Sequence, residues 1–376
     1  MKYNWTEKKL SEIADINPRE SIGKGIVAKK VPMDRLQPFC RDIPEFIYED
    51  YKGGTKFKNG DTIMARITPC LENGKIAKVS ILNNDEVGFG STEYIVFRAI
   101  DGMSDADYLY YLICSPFVRN PAIKSMVGSS GRQRVQVDVV ADLNVKIPTI
   151  EEQRKIGGIL KALDDKLELN NKINNNLEQQ VSILYQSWFE DFEITNGVCP
   201  EDWSYQELSS IADIASGKRP PVKSNVCNQE TPISIVGAAS VMGFTSEANH
   251  TDKILVTGRV GTHGVVQRFN TPCWTSDNTL VITSPYYEFT NQILHRIDYS
   301  SMNRGSTQPL ITQGDMKKVV VLVPDENTLA KFEEFAGSLM VKWEANNKEN
   351  VKLASLRDTL LPKLMSGELD VSDIEL

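Results

Sequence analysis

The 376-residue sequence lacks the motifs by which many enzymes and metalloproteins are recognised. It contains no G-x-G-x-x-G or Walker loop, no H-E-x-x-H and no G-x-S-x-G, so the common nucleotide-binding, zinc-protease and serine-hydrolase signatures are missing. The three histidines have neither i,i+4 spacing nor a nearby cysteine, and no two of the six cysteines form a C-x-x-C pair. We therefore expect no metal site, no disulfide framework and no catalytic centre.

Long hydrophobic runs are also absent. The longest aliphatic run, Val319 to Val323, is far shorter than the ~20 residues of a membrane span. The opening Met1-Lys-Tyr-Asn-Trp5 is not followed by the apolar stretch of a signal peptide. The sequence therefore predicts a cytoplasmic protein with no membrane partner, whose isolated thiols stay reduced.

Excess positive charge is missing too, because the formal net charge is −8. Residues 1–150 carry 21 basic and 19 acidic side chains, 151–200 carry 5 and 9, 201–325 carry 10 and 12, and 326–376 carry 6 and 10. The acidic excess thus lies in segments with a helical pattern, while the remaining parts are near neutral. An anionic partner would have to meet local clusters of Lys and Arg, or a more basic second subunit.

What the sequence does contain is an internal repeat. The segment Trp5-Thr-Glu-Lys-Lys-Leu-Ser-Glu-Ile-Ala-Asp-Ile16 returns, without gaps and at an offset of 198, as Trp203-Ser-Tyr-Gln-Glu-Leu-Ser-Ser-Ile-Ala-Asp-Ile214. Each copy runs on to a short strand that ends in a proline, Pro148 or Pro324, and then to a long helical pattern. Two similar halves are typical of a protein that binds its target twice.

Both long helical patterns have a heptad seam with two asparagine layers at the centre. The asparagines are Asn170 and Asn174 in the first helix, and Asn346 and Asn350, at an offset of 176, in the second. If the helices run antiparallel, residues whose numbers sum to 520 face each other, which pairs Asn170 with Asn350 and Trp188 with Phe332; only Leu163 opposite Arg357 interrupts the seam. About 40 residues per helix give a spacer on the order of 60 Å long, and buried asparagines commonly fix register.

The predicted fold class is α+β, with two mixed α/β domains held apart by two long antiparallel helices and related by a pseudo-twofold repeat. Short strand-like runs separated by Gly, Asn and Pro fill each globular part. We predict five segments: a first domain at 1–149, a central helix at 150–192, a second domain at 193–325, a C-terminal helix at 326–366 and a tail at 367–376.

Glycine-rich polar loops differ between the two copies and supply the candidate binding residues. Arg and Gln can read guanine and adenine edges in the major groove, whereas Ser, Thr and backbone N–H groups bind phosphates. A single loop of this kind is more often a solvated turn. Here the two copies share their strand pattern but differ in these loops, which favours two domains that recognise different base sequences. The candidates are Arg66, Lys75, Ser129, Arg132, Gln133 and Arg134 in the first copy, and Lys218, Arg219, Arg259, His263, Arg304, Thr307 and Gln308 in the second.

Two further patterns resemble catalytic motifs only in part. Asp164-Asp-Lys166 has the acids and lysine of a nuclease, but it lies beside the heptad seam and is interpreted as a solvated helix face. The Asn-Pro pairs at Asn17 and Asn120 lack the following proline and aromatic residue of an amino-methyltransferase. Neither pattern predicts an enzyme.

Taken together, the chain resembles the specificity (S) subunit of type I restriction-modification systems over essentially its whole length. The residues that carry the resemblance are the Leu-x-x-Ile-Ala-Asp-Ile openings at Leu10 and Leu208, the Pro148 to Arg154 helix entry, Leu184-Tyr-Gln-Ser-Trp-Phe-Glu-Asp-Phe192 and Leu360-Leu-Pro-Lys-Leu-Met-Ser-Gly-Glu-Leu369. The family has no recognition-loop motif to transfer, so the candidate contact residues rest on side-chain chemistry alone.

The resemblance implies a DNA-binding protein without a cofactor of its own. Two target-recognition domains would each read one half of a bipartite, asymmetric site in double-stranded DNA, and the helices would set their spacing. Two methyltransferase subunits would dock and methylate adenine with S-adenosylmethionine bound in those subunits, while a separate restriction subunit would cut. Two alternatives stay open from the sequence: a non-enzymatic two-headed scaffold for protein partners, and an enzyme with an unrecognised site.

Overall fold

The computed structural model describes residues 5–129, 131–302, 310–372 and 374. The chain divides into two compact units: unit 1 consists of Met1–Lys172 with Asn346–Leu376, and unit 2 of Ile173–Ala345. Each unit therefore takes one globular part together with a portion of both long helices. No helix within the described ranges is both long and apolar enough to cross a membrane.

Unit 1 begins with mixed strands and short helices and leads into the first long helix. Its elements are β1 (Thr6–Lys9), α1 (Leu10–Ile13), β2 (Ala14–Ile16), β3 (Val27–Val31), β4 (Ile47–Asp50), β5 (Thr55–Phe57), β6 (Thr62–Ala65), β7 (Ile76–Lys78), β8 (Gly88–Gly90), β9 (Tyr94–Ala99), α2 (Ala106–Cys114), α3 (Pro116–Lys124), α4 (Val137–Ala141), β10 (Asn144–Ile147) and α5 (Ile150–Tyr185). They build two four-stranded sheets, β2-β9-β6-β7 and β4-β3-β8-β5, and the pair β1-β10.

Unit 2 repeats this order with fewer strands in its second sheet. Its elements are β11 (Ser204–Glu207), β12 (Asp213–Ser216), β13 (Ile233–Val236), β14 (Val241–Thr245), β15 (Ile254–Gly258), β16 (Gln267–Phe269), β17 (Cys273–Thr275), β18 (Thr279–Thr283), α6 (Tyr287–Arg296), α7 (Gln313–Lys317), β19 (Val320–Val323) and α8 (Glu326–Ser366). The sheets are β12-β18-β15-β16 and β14-β13-β17, with the pair β11-β19.

The internal repeat is reproduced residue by residue in the strand registers. Thr6 pairs with Ile147 in unit 1, and Ser204 pairs with Val323 in unit 2. Ala65 pairs with Tyr94 at the end of β6, and Gly258 pairs with Thr279 at the end of β15. Because side chains alternate between sheet faces, identical registers place equivalent residues on equivalent faces. The predicted mixed α/β repeat is therefore confirmed.

The long helices α5 and α8 run antiparallel to each other within each unit. In unit 1 the Asn170 Nδ2 atom donates hydrogen bonds to Asn350 Oδ1 at 2.9 Å and Glu349 Oε2 at 2.8 Å. In unit 2 the ring of Trp188, in the π-helical turn Gln186–Glu190 that follows α5 directly, lies 6.0 Å from that of Phe332. The contacts of Asn170 with Asn350 and of Trp188 with Phe332 join residues whose numbers sum to 520, so the predicted antiparallel direction and pairing are confirmed at these two layers.

The sequence-based interpretation of Asp164 and Arg357 is wrong. Asp164 does not lie on a solvated face, because its side chain is only 4% exposed; it accepts hydrogen bonds from Arg357 Nη1 at 2.8 Å and from the Tyr111 hydroxyl at 2.7 Å. Arg357 therefore does not spoil the seam but places a charge-assisted bond inside it. The heptad pattern missed this because Tyr111 comes from α2 rather than from either long helix.

One position on the long helices is used differently in the two copies. In unit 1, Asp105 caps α2 by accepting from the backbone N–H groups of Asp107 and Tyr108, and Gly157 lies so close that an added Cβ would approach Tyr108 N to 2.9 Å. The equivalent of Gly157, at an offset of 176, is Glu333, whose carboxylate accepts from Glu288 N at 3.0 Å and Phe289 N at 2.8 Å. The long helix thus supplies the cap that α6 lacks.

This partly buried cap predicts a pH-dependent stability for unit 2. Burial raises the pKa of the Glu333 carboxyl from 4.5 to about 7, and neighbouring Glu288 adds to the rise. A carboxyl with a raised pKa in the folded state stabilises fully below pH 4.5 and loses that contribution as pH rises to 7, by about 1–3 kcal/mol. Glu333→Gln should flatten this dependence in urea unfolding measured across the range. An equally steep dependence in the variant would contradict the assignment.

Candidate nucleic-acid interface

The candidate residues of unit 1 gather at one edge of the sheet β2-β9-β6-β7. At this edge β2 and β6 end, and β7 and β9 begin, because these neighbours are antiparallel. The backbone N–H of Asn17, directly after β2, donates to Val96 O, and that of Ala65 donates to Lys75 O. We name this region the loop edge of unit 1. Loops that leave one sheet edge together are the usual place for binding residues on a rigid frame.

A two-way backbone bond closes the loop between Val127 and Arg134 at this edge. Ser129 and Arg132 are exposed near its tip, and Arg132 N donates to Ser129 O. Gln133 lies lower down, where its N–H donates to the Thr68 hydroxyl. The structure therefore places Ser129 and Arg132 where a macromolecule could reach them.

Arg134 has a partner within the protein. Its guanidinium binds the Glu93 carboxylate through two nitrogens, with Nη2 at 2.6 Å and Nε at 3.0 Å. This arginine holds the pKa of the Glu93 carboxyl below its usual value, since its hydrogen bond and charge favour the ionised form. Arg134 can therefore brace the loop.

The two remaining candidates of unit 1 lie beside this brace. Arg66 follows β6 directly, and its Nε lies 3.9 Å from Glu93 Oε2. Lys75 precedes β7, and its ammonium donates to Met33 O at 2.8 Å. Arg66 thus keeps only a long ion pair, whereas Lys75 ties the β3–β4 connection to the sheet.

The described candidates of unit 2 lie at the corresponding loop edge, where β12 and β15 end and β18 begins. Lys218 and Arg219 are exposed just after β12, and Arg219 is 3.9 Å from Asp277. Arg259 follows β15, and its carbonyl lies 3.1 Å from His263 Nε2. The candidates Arg304, Thr307 and Gln308 fall outside the described residues.

Sequence reasoning missed two cations at the loop edge of unit 1. Arg19 and Lys56 line a cavity of about 510 Å³ together with Arg66, and this cavity also includes Asn17 and Ser21. Arg19 could have been found from its place immediately after the repeated Ala-Asp-Ile strand. Lys56 could not, because its strand β5 has no counterpart in the three-stranded second sheet of the other copy.

The asparagines predicted to fix the helix register lie on facing helices. Asn170 is fully buried, and Asn350 Nδ2 donates to Asn171 Oδ1 at 2.8 Å. Asn174 Nδ2 contacts Trp343 O at 3.4 Å, and Asn346 is 1% exposed. Elsewhere, in the described part of the chain, no three His, Cys, Asp or Glu side chains come together as a metal site requires.

Comparison with known proteins agrees with this architecture. The specificity subunit of the MjaIX type I restriction enzyme from Methanocaldococcus jannaschii is 25% identical over 72% of this chain and 70% of its own length. The HindI specificity subunit from Haemophilus influenzae is 23% identical over 85% of this chain and 89% of its own. The crystal structure of a type I S subunit from M. genitalium has the same fold, with a TM-score of 0.59, 17% identity and 96% of each chain covered.

The family model described as the type I restriction modification DNA specificity domain matches residues 2–179 and again 200–336. These two matches coincide with the two copies of the repeat and together span most of the chain. The chain belongs to the family of type I restriction-modification DNA specificity proteins.

Proposed function

We propose that this chain is the sequence-specific DNA-recognition subunit of a type I restriction-modification complex, with each globular domain reading one half of a bipartite, asymmetric site. The observation that carries the proposal is one strand frame, repeated in identical register, whose polar loops differ at equivalent edges. A common frame with different loops suits two readers of different base sequences. In this proposal residues 1–149 and 193–325 are the two reading domains.

In this proposal the chain itself catalyses neither methyl transfer nor DNA cleavage. Its relatives are named specificity subunits of restriction enzymes, which supports assembly with other subunits. We propose two methyltransferase subunits, with S-adenosylmethionine bound in them, and restriction subunits in the complex that cuts. Residues 151–200 and 326–376 each carry a net charge of −4, so a basic partner surface fits them and can supply phosphate contacts.

We further propose that the four asparagines fix the register of α5 against α8. Asn170 Nδ2 is satisfied by two acceptors, while its Oδ1 is buried without a hydrogen-bond partner among the described residues. Such an asparagine layer stabilises the helix pair less than a leucine layer would. Its hydrogen bonds form only in one register, so they disfavour a shift of one helix along the other. The register then determines where each domain meets its half of the DNA site.

The experiment begins by mapping methylated adenines in DNA from cells that carry the chain and its methyltransferase partner. Arg132→Ala should then relax or weaken recognition of one half of the mapped site, and Gln308→Ala should affect only the other. A lost bidentate base contact is worth about 1–3 kcal/mol, so methylation of duplexes with single-base changes in one half should rise by about 5- to 150-fold relative to the intact site.

Three outcomes would contradict this function. Equal loss of preference in both halves from either variant would show that the domains do not read separately. Methyl transfer by the purified chain alone would show that it is an enzyme. A chain that binds its partner but shows no site-dependent methylation would instead support a protein scaffold.

A further inference from the structure

Arg66 and Arg259 occupy the same position in the two units, although no sequence offset of the repeat motif aligns them. The Arg66 N–H donates to Glu93 O at 2.9 Å, and Arg66 O accepts from Val135 N at 2.8 Å. The Arg259 N–H donates to Asn278 O at 2.9 Å, and Arg259 O accepts from Ile311 N at 3.0 Å. The next residues, Ile67 and Val260, form equivalent bridges to Arg134 and Leu310. Each arginine is therefore held between the sheet and the base of the divergent loop.

The side chains of Arg66 and Arg259 also share a feature. Within the described part of the chain, the Nε of Arg66 and the Nε of Arg259 are both buried and have no hydrogen-bond partner. Buried donors without partners are uncommon in folded proteins. Arg119 and Arg268 also have such an Nε, so this feature supports the match of Arg66 with Arg259 because it occurs at equal backbone positions. The Arg66 side chain is nevertheless 31% exposed, so an incoming group can reach it.

The surroundings differ in sequence but agree in net charge. In unit 1 the neighbouring pair is Arg134 with Glu93, which neutralise each other. In unit 2 the equivalent positions hold Leu310 and Asn278, and neither is charged. Arg66 in unit 1 and Arg259 in unit 2 therefore each contribute the one positive charge that these neighbouring residues do not neutralise. Both positions have further cations at the same edge, Arg19 and Lys56 in unit 1 and Lys218 and Arg219 in unit 2.

We infer that Arg66 and Arg259 are the matched DNA-backbone anchors of the two units, each binding a phosphate at the equivalent place in its half-site. This inference rests on the proposed function. A phosphate is favoured over a base because the two arginines stand on an identical frame, whereas the two halves of the site differ in sequence. Phosphates are present at every step and position a protein on DNA without specifying sequence. Base reading is then left to other side chains, such as the exposed Arg132 beyond the backbone bridge between Val127 and Arg134.

The test uses the full chain with its methyltransferase partner and duplexes that carry the mapped site, one half of it, or an unrelated sequence. Arg66→Ala and Arg259→Ala should each weaken binding to the full site by about 10- to 100-fold, as expected for a lost hydrogen bond to a charged group. Each should also lower the slope of log affinity against log salt by about 1 and leave the preference between bases unchanged. Arg66→Lys and Arg259→Lys keep the point charge and should lose less than about 5-fold.

Matched controls remove one positive charge elsewhere in each unit. Lys146→Ala in unit 1 and Lys318→Ala in unit 2 change exposed lysines outside the loop edges and the long helices, and should leave affinity within about 2-fold. Unfolding curves of all variants should be measured to determine whether the arginine variants stay folded. If the alanine variants are destabilised, the affinity of the lysine variants and the salt dependence of binding still test whether each arginine binds a phosphate.

Three results would overturn the inference. Relaxed preference at one base pair, with lysine as damaging as alanine, would make the arginines base readers. Unchanged affinity and salt slope in both alanine variants would leave them structural, and a loss confined to one unit would show that the positions are not matched. A failure of the proposed function looks different, because the wild-type complex itself would then not prefer the mapped site.

Discussion

Arg357→Ala should lower the free energy of unfolding of unit 1 by about 3–5 kcal/mol, the cost of leaving one partner of a buried ion pair uncompensated. The Asp164 side chain is 4% exposed and that of Arg357 12%, so water cannot replace the lost guanidinium. The Tyr111 hydroxyl donates to the other carboxylate oxygen and satisfies only part of the charge. The measurement is hydrogen exchange of peptides from α2, which carries Tyr111, across a urea series.

Two comparisons make this result specific to the buried pair. The double variant Asp164→Asn with Arg357→Met removes both charges and should recover at least half of the lost stability. Lys363, on the same helix as Arg357, forms an exposed pair with Glu368 just beyond the helix end, so Lys363→Ala should cost less than about 1 kcal/mol. If Arg357→Ala costs no more than Lys363→Ala, the pair is not a stabilising element of unit 1.

The architecture could be predicted from the sequence because the internal repeat and the heptad pattern both determine it. The heptad period gave the facing pairs Asn170 with Asn350 and Trp188 with Phe332, since each pattern depends only on its own helix. The same period made Arg357 look like a defect. Its partner Asp164 also binds Tyr111, which lies on α2. The heptad pattern of the long helices carries no information about contacts with α2, so it could not predict this burial.

The interface could be predicted only as a set of separate loops. That Arg66, Arg132 and Arg134 share one sheet edge follows from strand register, which alternating patterns alone do not fix. The equivalence of Arg66 and Arg259 was hidden because the repeat offset falls along the chain, from 198 at Ala14 through 193 at Ala65 to 176 at Ile147. Insertions of different length separate the strands in the two copies, so only backbone pairing aligns them.

Phe332→Ala should lower the free energy of unfolding of unit 2 by about 3–5 kcal/mol, the usual cost of truncating a buried phenylalanine. The Phe332 side chain is fully buried, and its ring centre lies 5.2 Å from that of Phe189 and 6.0 Å from those of Tyr185 and Trp188. These aromatic residues join α5, α8 and the core of unit 2. Removing the ring therefore leaves a cavity where the helices meet the sheet.

The consequence for function should be confined to one half of the DNA site. Four of the five tryptophans, Trp188, Trp203, Trp274 and Trp343, lie in unit 2, so fluorescence during urea unfolding reports its transition. Phe335→Ala, one turn along the same helix, is the matched control because that ring is 55% exposed; it should cost less than about 1 kcal/mol. At a temperature that unfolds only the Phe332 variant, methylation should lose its dependence on the half-site assigned to unit 2 and keep its dependence on the other half-site. The Phe335 variant should behave as wild type. If methylation by the Phe332 variant still depends on this half-site when unit 2 is unfolded, unit 2 does not read DNA.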